Sequence, residues 1–162
     1  MTVTLQPKAA FVQNELTRRG LLCQVLEMPD STRTAQEAAD AIGTTVAQIV
    51  KSLVFRTKTS GQAVIVLASG INRVDEKRIR DLMGETIEKA DADFVREQTG
   101  YAIGGVAPLG YPQPLRTFID EDLLQYTEIW AAGGTPHAVF SLSPDELIAI
   151  SHGEVNPIKK AG

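Results

Sequence analysis

The chemistry open to this chain rests on one lysine and two pairs of glycines. Residues 49–55 read IVKSLVF. In a strand, alternate side chains share a face, so Lys51 sides with Leu53 and Phe55 while Val50, Ser52 and Val54 point the other way. Taking an ammonium out of water is costly unless something pairs with it. Two readings follow. Either Lys51 lays its stem on apolar surface at a strand start and reaches water with its amine. Or the amine is held in a cleft, as a fixed cation or, with a lowered pKa, as a base or nucleophile. A second place is AIGGVAPLG (102–110), where adjacent Gly104 and Gly105 let backbone N–H groups approach a ligand and Pro108 stiffens the exit. Its spacing is neither a Walker loop nor a dinucleotide fingerprint, and a plain turn accounts for it equally well. The third is AAGGTPHAVF (131–140), where Gly133 and Gly134 suit a hairpin reversal and His137 stands either at a pocket edge or on the surface.

Other constellations are missing. The chain has no G-x-S-x-G elbow and no H-E-x-x-H pair. Cys23 is alone and the two histidines lie far apart, which argues against a Cys/His zinc site, rules out an intrachain disulfide and suits a reducing cytoplasm. The acidic residues fall in helix starts and exposed faces, with no carboxylate dyad to single out. A net charge of −4 excludes a broad basic surface for gripping a long nucleic acid, so any nucleic-acid contact should be small and confined to an end. The local basic cluster is RVDEKRIR (73–80), read as a solvated helix face or a phosphate contact. No apolar run is long enough to cross a bilayer, and the first residues do not read as a secretory signal.

The elements that must position these residues are legible from spacing and caps. A helix is expected over 7–19, stopped by Gly20, and a strand over 21–28. Thr34 and Glu37 mark a capping box for a helix ending at Gly43, and Thr45 with Gln48 a short second helix leading into IVKSLVF. TKTSGQ reads as a hairpin turn and the wholly apolar AVIVLAS (63–69) as a central returning strand. Asp75 caps a helix ending at Gly84, ETIEKA gives a short strand, and Asp91 or Asp93 starts a helix ending at Gly100. RTFID reads as a strand, EDLLQY as a short helix, and EIWAAGGTPHAVFSL as two strands joined by GGTP. Ser143, Pro144 and Glu146 start the last helix, and the tail from His152 is expected to fray. With 162 residues, 43% of them apolar, and no repeat or linker, the chain reads as one domain over 1–162 with its core at about 21–151. Hairpins mixed with helix-separated strands predict an α+β fold, a mixed sheet flanked by helices.

Taken in order, TAQEAADAIGTTVAQIVKSLVF, AIGGVAPLG and AAGGTPHAVFSLSPDEL resemble the YbaK/prolyl-tRNA-synthetase-associated editing domain family, across roughly residues 30–150. The resemblance implies a compact, curved mixed sheet with surrounding helices. It implies hydrolysis, by a free-standing protein acting in trans, of the ester joining a wrong small amino acid to the 3′ end of a tRNA, typically one for proline. No cofactor or metal is implied. Lys51 falls on the lysine that catalysis in the family depends on. Gly104, Gly105 and Pro108 fall on its glycine loop, with Gly105 as an oxyanion donor. Gly133 and Gly134, with Thr135 and His137 beside them, fall on a pocket wall, and Ser52 on a pocket-shaping position. The implied partners are a tRNA acceptor end and a synthetase, with no membrane, in a monomer or homodimer. Two rival readings stand beside this one: a non-catalytic aminoacyl-tRNA or synthetase-binding module of the same fold, and a lysine Schiff-base enzyme acting on a small carbonyl compound.

Overall fold

Side-chain caps start most of the helices where the spacing places them. The computed structural model describes residues 4–161. Helix α1 is Pro7–Arg18, with proline in its first turn. Thr34 accepts from the Glu37 N–H at the head of α2 (Ala35–Ile42), and Asp75 and Asp91 do the same work for α3 (Glu76–Met83) and α4 (Ala92–Thr99). A full capping box between Ser143 and Glu146 opens α5 (Pro144–Ser151). Gly43, Gly84 and Gly100 end α2, α3 and α4 in the left-handed conformation.

The strands are β1 (Leu26–Glu27), β2 (Val50–Thr57), β3 (Ala63–Ser69), β4 (Ile87–Lys89), β5 (Arg116–Asp120), β6 (Ile129–Ala132), β7 (Ala138–Leu142) and β8 (Glu154–Asn156). They form two sheets rather than the one curved sheet expected, ordered β1-β7-β6 and β4-β2-β3-β5-β8. The fold is nonetheless the mixed α+β type predicted, since β2–β3 is an antiparallel hairpin and β3–β5 and β5–β8 are parallel. Every residue of β3 is buried, as its unbroken apolar run requires of a central strand. An isolated parallel bridge between Ile49 and Trp130 ties the two sheets together at one point. The main core lies between them and includes Val50, Ile65, Leu67, Ile129 and Phe140, closed by Ala9, Val12 and Leu16 of α1. A second cluster, around Phe55, Val66, Ile79 and Phe118, packs on the opposite face of the larger sheet.

Two expectations need correction. The strand expected over 21–28 is only the two residues of β1, and Leu22 is 93% exposed, so the apolar composition of that stretch does not bury it. The short helices expected before β2 and after β5 are present, as 3₁₀ turns at Val46–Gln48 and Glu121–Gln125. The tail is not frayed. β8 adds to the sheet, Ile158 is fully buried in the second cluster, and its carbonyl accepts from the Asp75 N–H at 2.7 Å. The core therefore extends past 21–151 at both ends. Among the described residues no helix is long and apolar enough to cross a membrane. Ile158→Ala is expected to destabilise the protein by about 2 kcal/mol or more, measured by urea unfolding; a tail without a structural role would leave the midpoint unchanged.

Candidate functional site

Beyond the Ile49–Trp130 bridge the two sheets diverge, and a cleft of about 330 Å³ lies in the gap. One wall is the exposed edge of β2, at Val50, Lys51, Ser52 and Leu53; the other is Trp130, Ala131 and Ala132 of β6. The mouth is closed by Thr32 and Arg33 from the loop before α2 and by Ile103 and Gly104 from the glycine loop. The β2 edge is open here because β4 pairs only with Phe55–Thr57. The Val54 carbonyl faces that side and accepts from the Ala90 N–H. By strand alternation the N–H and C=O of Ser52 face the same edge, where no strand covers them.

Lys51 is half-buried, and its Nζ donates to the Asn72 carbonyl at 2.6 Å, the short distance of a charge-assisted hydrogen bond. Asn72 is itself fixed. Its side-chain amide donates to Asp120 Oδ2 and to Asp122 Oδ2, both at 2.8 Å. Asp120 is fully buried and also accepts from the Ser69 and Asp122 N–H groups, so its carboxylate has the partners a buried charge needs. The chain of contacts thus runs from a carboxylate at the end of β5, through the turn after β3, to an amine on β2. Burial holds the Lys51 amine below the usual lysine range; the Asp120 carboxylate opposes that shift and Arg73 adds to it. Asn72 and Asp120 were not singled out in the sequence. The available signal was a polar residue in the turn after an apolar strand and an acid ending the next buried strand.

The other expected site residues separate. Ser52 and Gly104 join Lys51 in the cleft wall. Gly104 turns with φ +90°, and the stem of Arg33 lies over its Cα where a methyl group would stand. Gly105 does not line the cleft: its N–H is used by the Ala102 carbonyl, and its Cα packs on the Thr135 backbone. That removes it as a free oxyanion donor, while the Gly104 N–H has no hydrogen-bond partner among the described residues. Pro108 is buried toward a separate cavity beside Tyr101. Neither Gly133 nor Gly134 lines the cleft: Gly134 faces α1, and Gly133 packs on Val25 and Ala138. A methyl group on Gly134 would sit 2.7 Å from the Lys8 carbonyl oxygen, and one on Gly133 2.9 Å from Val25 Cγ1. Thr135 and His137 lie on the outer side of the hairpin near Gln6 and Met28. There they hold the loop that brings Thr32 and Arg33 to the mouth: His137 Nδ1 is 3.1 Å from the Asp30 carbonyl, and the Pro136 carbonyl accepts from the Thr32 N–H at 2.6 Å.

The cleft wall also contains Thr32 Oγ1, Ser52 Oγ and Trp130 Nε1, which are buried without a hydrogen-bond partner among the described residues. Among the described residues no Asp, Glu or His lines the cleft. Cys23 does not line the cleft, and burial and then the charge of Glu146 push its thiol up. Among the described residues no cluster of His, Cys, Asp or Glu is arranged to hold a metal ion.

Residues 29–150 match the family model for the aminoacyl-tRNA editing domain. A solved structure described as a candidate trans-editing enzyme for prolyl-tRNA synthetase superposes with a TM-score of 0.91 at 48% identity, over 98% of this chain and 100% of that one. The uncharacterized protein YwhH of Bacillus subtilis (strain 168) is 32% identical over 131 residues, 81% of this chain and 83% of YwhH. A candidate Cys-tRNA(Pro)/Cys-tRNA(Cys) deacylase, EbsC of Enterococcus faecalis (strain ATCC 700802 / V583), is 25% identical over 122 residues, 75% of this chain and 74% of EbsC.

Gly134 has φ +103°, a conformation other residues rarely adopt. Gly134→Ala is therefore expected to cost about 1–3 kcal/mol for the backbone alone, with the clash against α1 adding to it. Thermal unfolding reads this, and an unchanged midpoint would return the glycine pair to a purely ligand-facing role.

Proposed function

This chain belongs to the family of aminoacyl-tRNA editing domains, and we propose that it is a trans-acting deacylase that hydrolyses the ester of a mischarged tRNA, one for proline carrying a small amino acid. The observation that carries this reading is the placement of the Lys51 amine. Lys51 lines a small cleft together with the apolar residues Ile49, Val50, Leu53, Val106 and Ala131, and its amine is tied to a backbone carbonyl.

In this reading the aminoacyl group enters the cleft and its ester carbonyl lies against Lys51. Water attacks the carbonyl carbon, the acyl–oxygen bond to the ribose breaks, and the ribose oxygen takes a proton as it leaves. The products are free tRNA and free amino acid. The Lys51 ammonium and the Gly104 N–H stabilise the oxyanion that forms on the way. Since no carboxylate or imidazole among the described residues lines the cleft, the neighbouring ribose hydroxyl of the tRNA orients the water. The walls set specificity by size, the expected device where a synthetase cannot reject a smaller or isosteric amino acid by binding alone. A charged tRNA as substrate places this work in the cytoplasm, beside a prolyl-tRNA synthetase.

Deacylation of a panel of mischarged tRNAs tests the reading. Wild type is expected to release at least one small amino acid, and Lys51→Ala to slow that release on the order of 10²–10³-fold with the fold intact. No release from any tRNA would overturn it. The pH profile separates cation from base. A cation is fully charged below its folded pKa, so the ratio of catalysed to uncatalysed hydrolysis falls as pH rises through that value, which burial sets below the ordinary lysine range. A general base would give a ratio that rises instead.

A further inference from the structure

A second groove, of about 570 Å³, adjoins the cleft and shares Lys51, Ser52, Leu53, Ile103, Gly104 and Val106 with it. Its remaining rim is unlike the rest of this acidic protein. Arg73, Lys89 and Lys160 stand there against one carboxylate, Glu76. The ion pairs among the described residues join Arg18 and Arg19 to Glu15, Arg80 to Asp81, and Arg116 to Glu154, so none of the groove cations is neutralised by a salt bridge. All three are exposed and come from separate segments: the turn before α3, the end of β4, and the C-terminal tail.

The tail is built to present its lysine. Lys159 bridges Val74, the Lys160 N–H donates to the Arg73 carbonyl at 2.7 Å, and buried Ile158 anchors the segment. Lys160 is thereby fixed beside Arg73. Between the cations the floor is apolar, with Val54, Phe55, Ala90 and Val95, and Ile103 stands 43% exposed on the lip that both cavities share.

We propose that this groove binds the phosphodiesters of the single-stranded 3′ end of an RNA, with Arg73, Lys89 and Lys160 as the phosphate contacts. A ligand that fills both cavities meets a small, mostly apolar cleft on one side of Lys51 and three cations on the other, which suits an aminoacylated RNA end. The inference rests on the proposed deacylase reading for the identity of the RNA, while the binding itself requires no hydrolysis. With three contacts to a single strand, log K should fall against log salt with a slope of about −2, roughly 0.7 for each phosphate. Such a short footprint is compatible with a net charge of −4.

The test is fluorescence anisotropy of a labelled, uncharged RNA oligonucleotide ending in CCA, titrated with full-length protein across a range of salt. Arg73→Ala, Lys89→Ala and Lys160→Ala are each expected to weaken binding roughly 3–10-fold and to make the slope shallower by about 0.7. Arg80→Ala, on α3 and paired with Asp81 outside the groove, is expected to change neither. In deacylation the three groove variants should raise KM and leave kcat as it is. Unchanged affinity and slope in the groove variants would overturn the proposal, as would an equal effect of Arg80→Ala. Competition by AMP as strong as by the oligonucleotide would also overturn it, by assigning the groove to a single nucleotide. Salt-dependent binding without any deacylation would leave the groove standing and sink the deacylase reading; deacylation untouched by the groove variants would do the reverse.

Discussion

The site depends on a buried carboxylate. Asp120 ends β5 inside the protein, with its oxygens accepting from two backbone N–H groups and the Asn72 amide. A carboxylate so placed is tolerable only while those donors stay where they are, since losing one leaves charge uncompensated in a poorly polarisable interior. The requirement fixes the turn after β3, and with it the Asn72 carbonyl that receives Lys51. The amine therefore sits where three consecutive pieces of the larger sheet place it. Its own long and flexible side chain does not set the position.

The division into two sheets turns this local arrangement into a site. Had β6 continued alongside β2 past the Ile49–Trp130 bridge, the edge of β2 at Ser52 would be paired and no cleft would exist. The strands instead part at the residue before Lys51's neighbourhood begins, and the glycine loop and the Thr32–Arg33 loop fill only the mouth. The larger sheet runs on beneath the second groove. One amine thus borders two cavities of different character, one small and apolar, the other rimmed by cations.

Much of this was legible in the residues, and what was not has physical reasons. Caps are local chemistry, so Thr34, Asp75, Asp91 and Ser143 declared their helices without any knowledge of the fold. Alternation along β2 correctly set Leu53 and Phe55 apart from Val50 and Val54, which pack into different clusters. A glycine pair announces a tight bend, but not which neighbour the missing side chain makes room for. At Gly134 that neighbour is α1, and at Gly133 it is Val25, both brought there by the whole core. Gly105 shows the same limit, since only the folded loop reveals that its N–H is spent on Ala102. The Asn72–Asp120 contact spans 48 positions and follows from the parallel pairing of β3 with β5, a long-range choice that no local pattern encodes. The tail looked frayed because its anchoring rests on one isoleucine and a few backbone bonds to the segment before α3.

The central claim is that Lys51 stands where an aminoacyl ester meets its RNA. A crystal structure with a non-hydrolysable 3′-aminoacylamido-adenosine analogue tests it most directly. The account predicts the amide carbonyl within hydrogen-bond distance of Lys51 Nζ, the amino-acid side chain between β2 and Trp130, and the adenosine directed toward Arg73 and Lys160. An analogue seated elsewhere, with Lys51 still bound only to the Asn72 carbonyl, would contradict it.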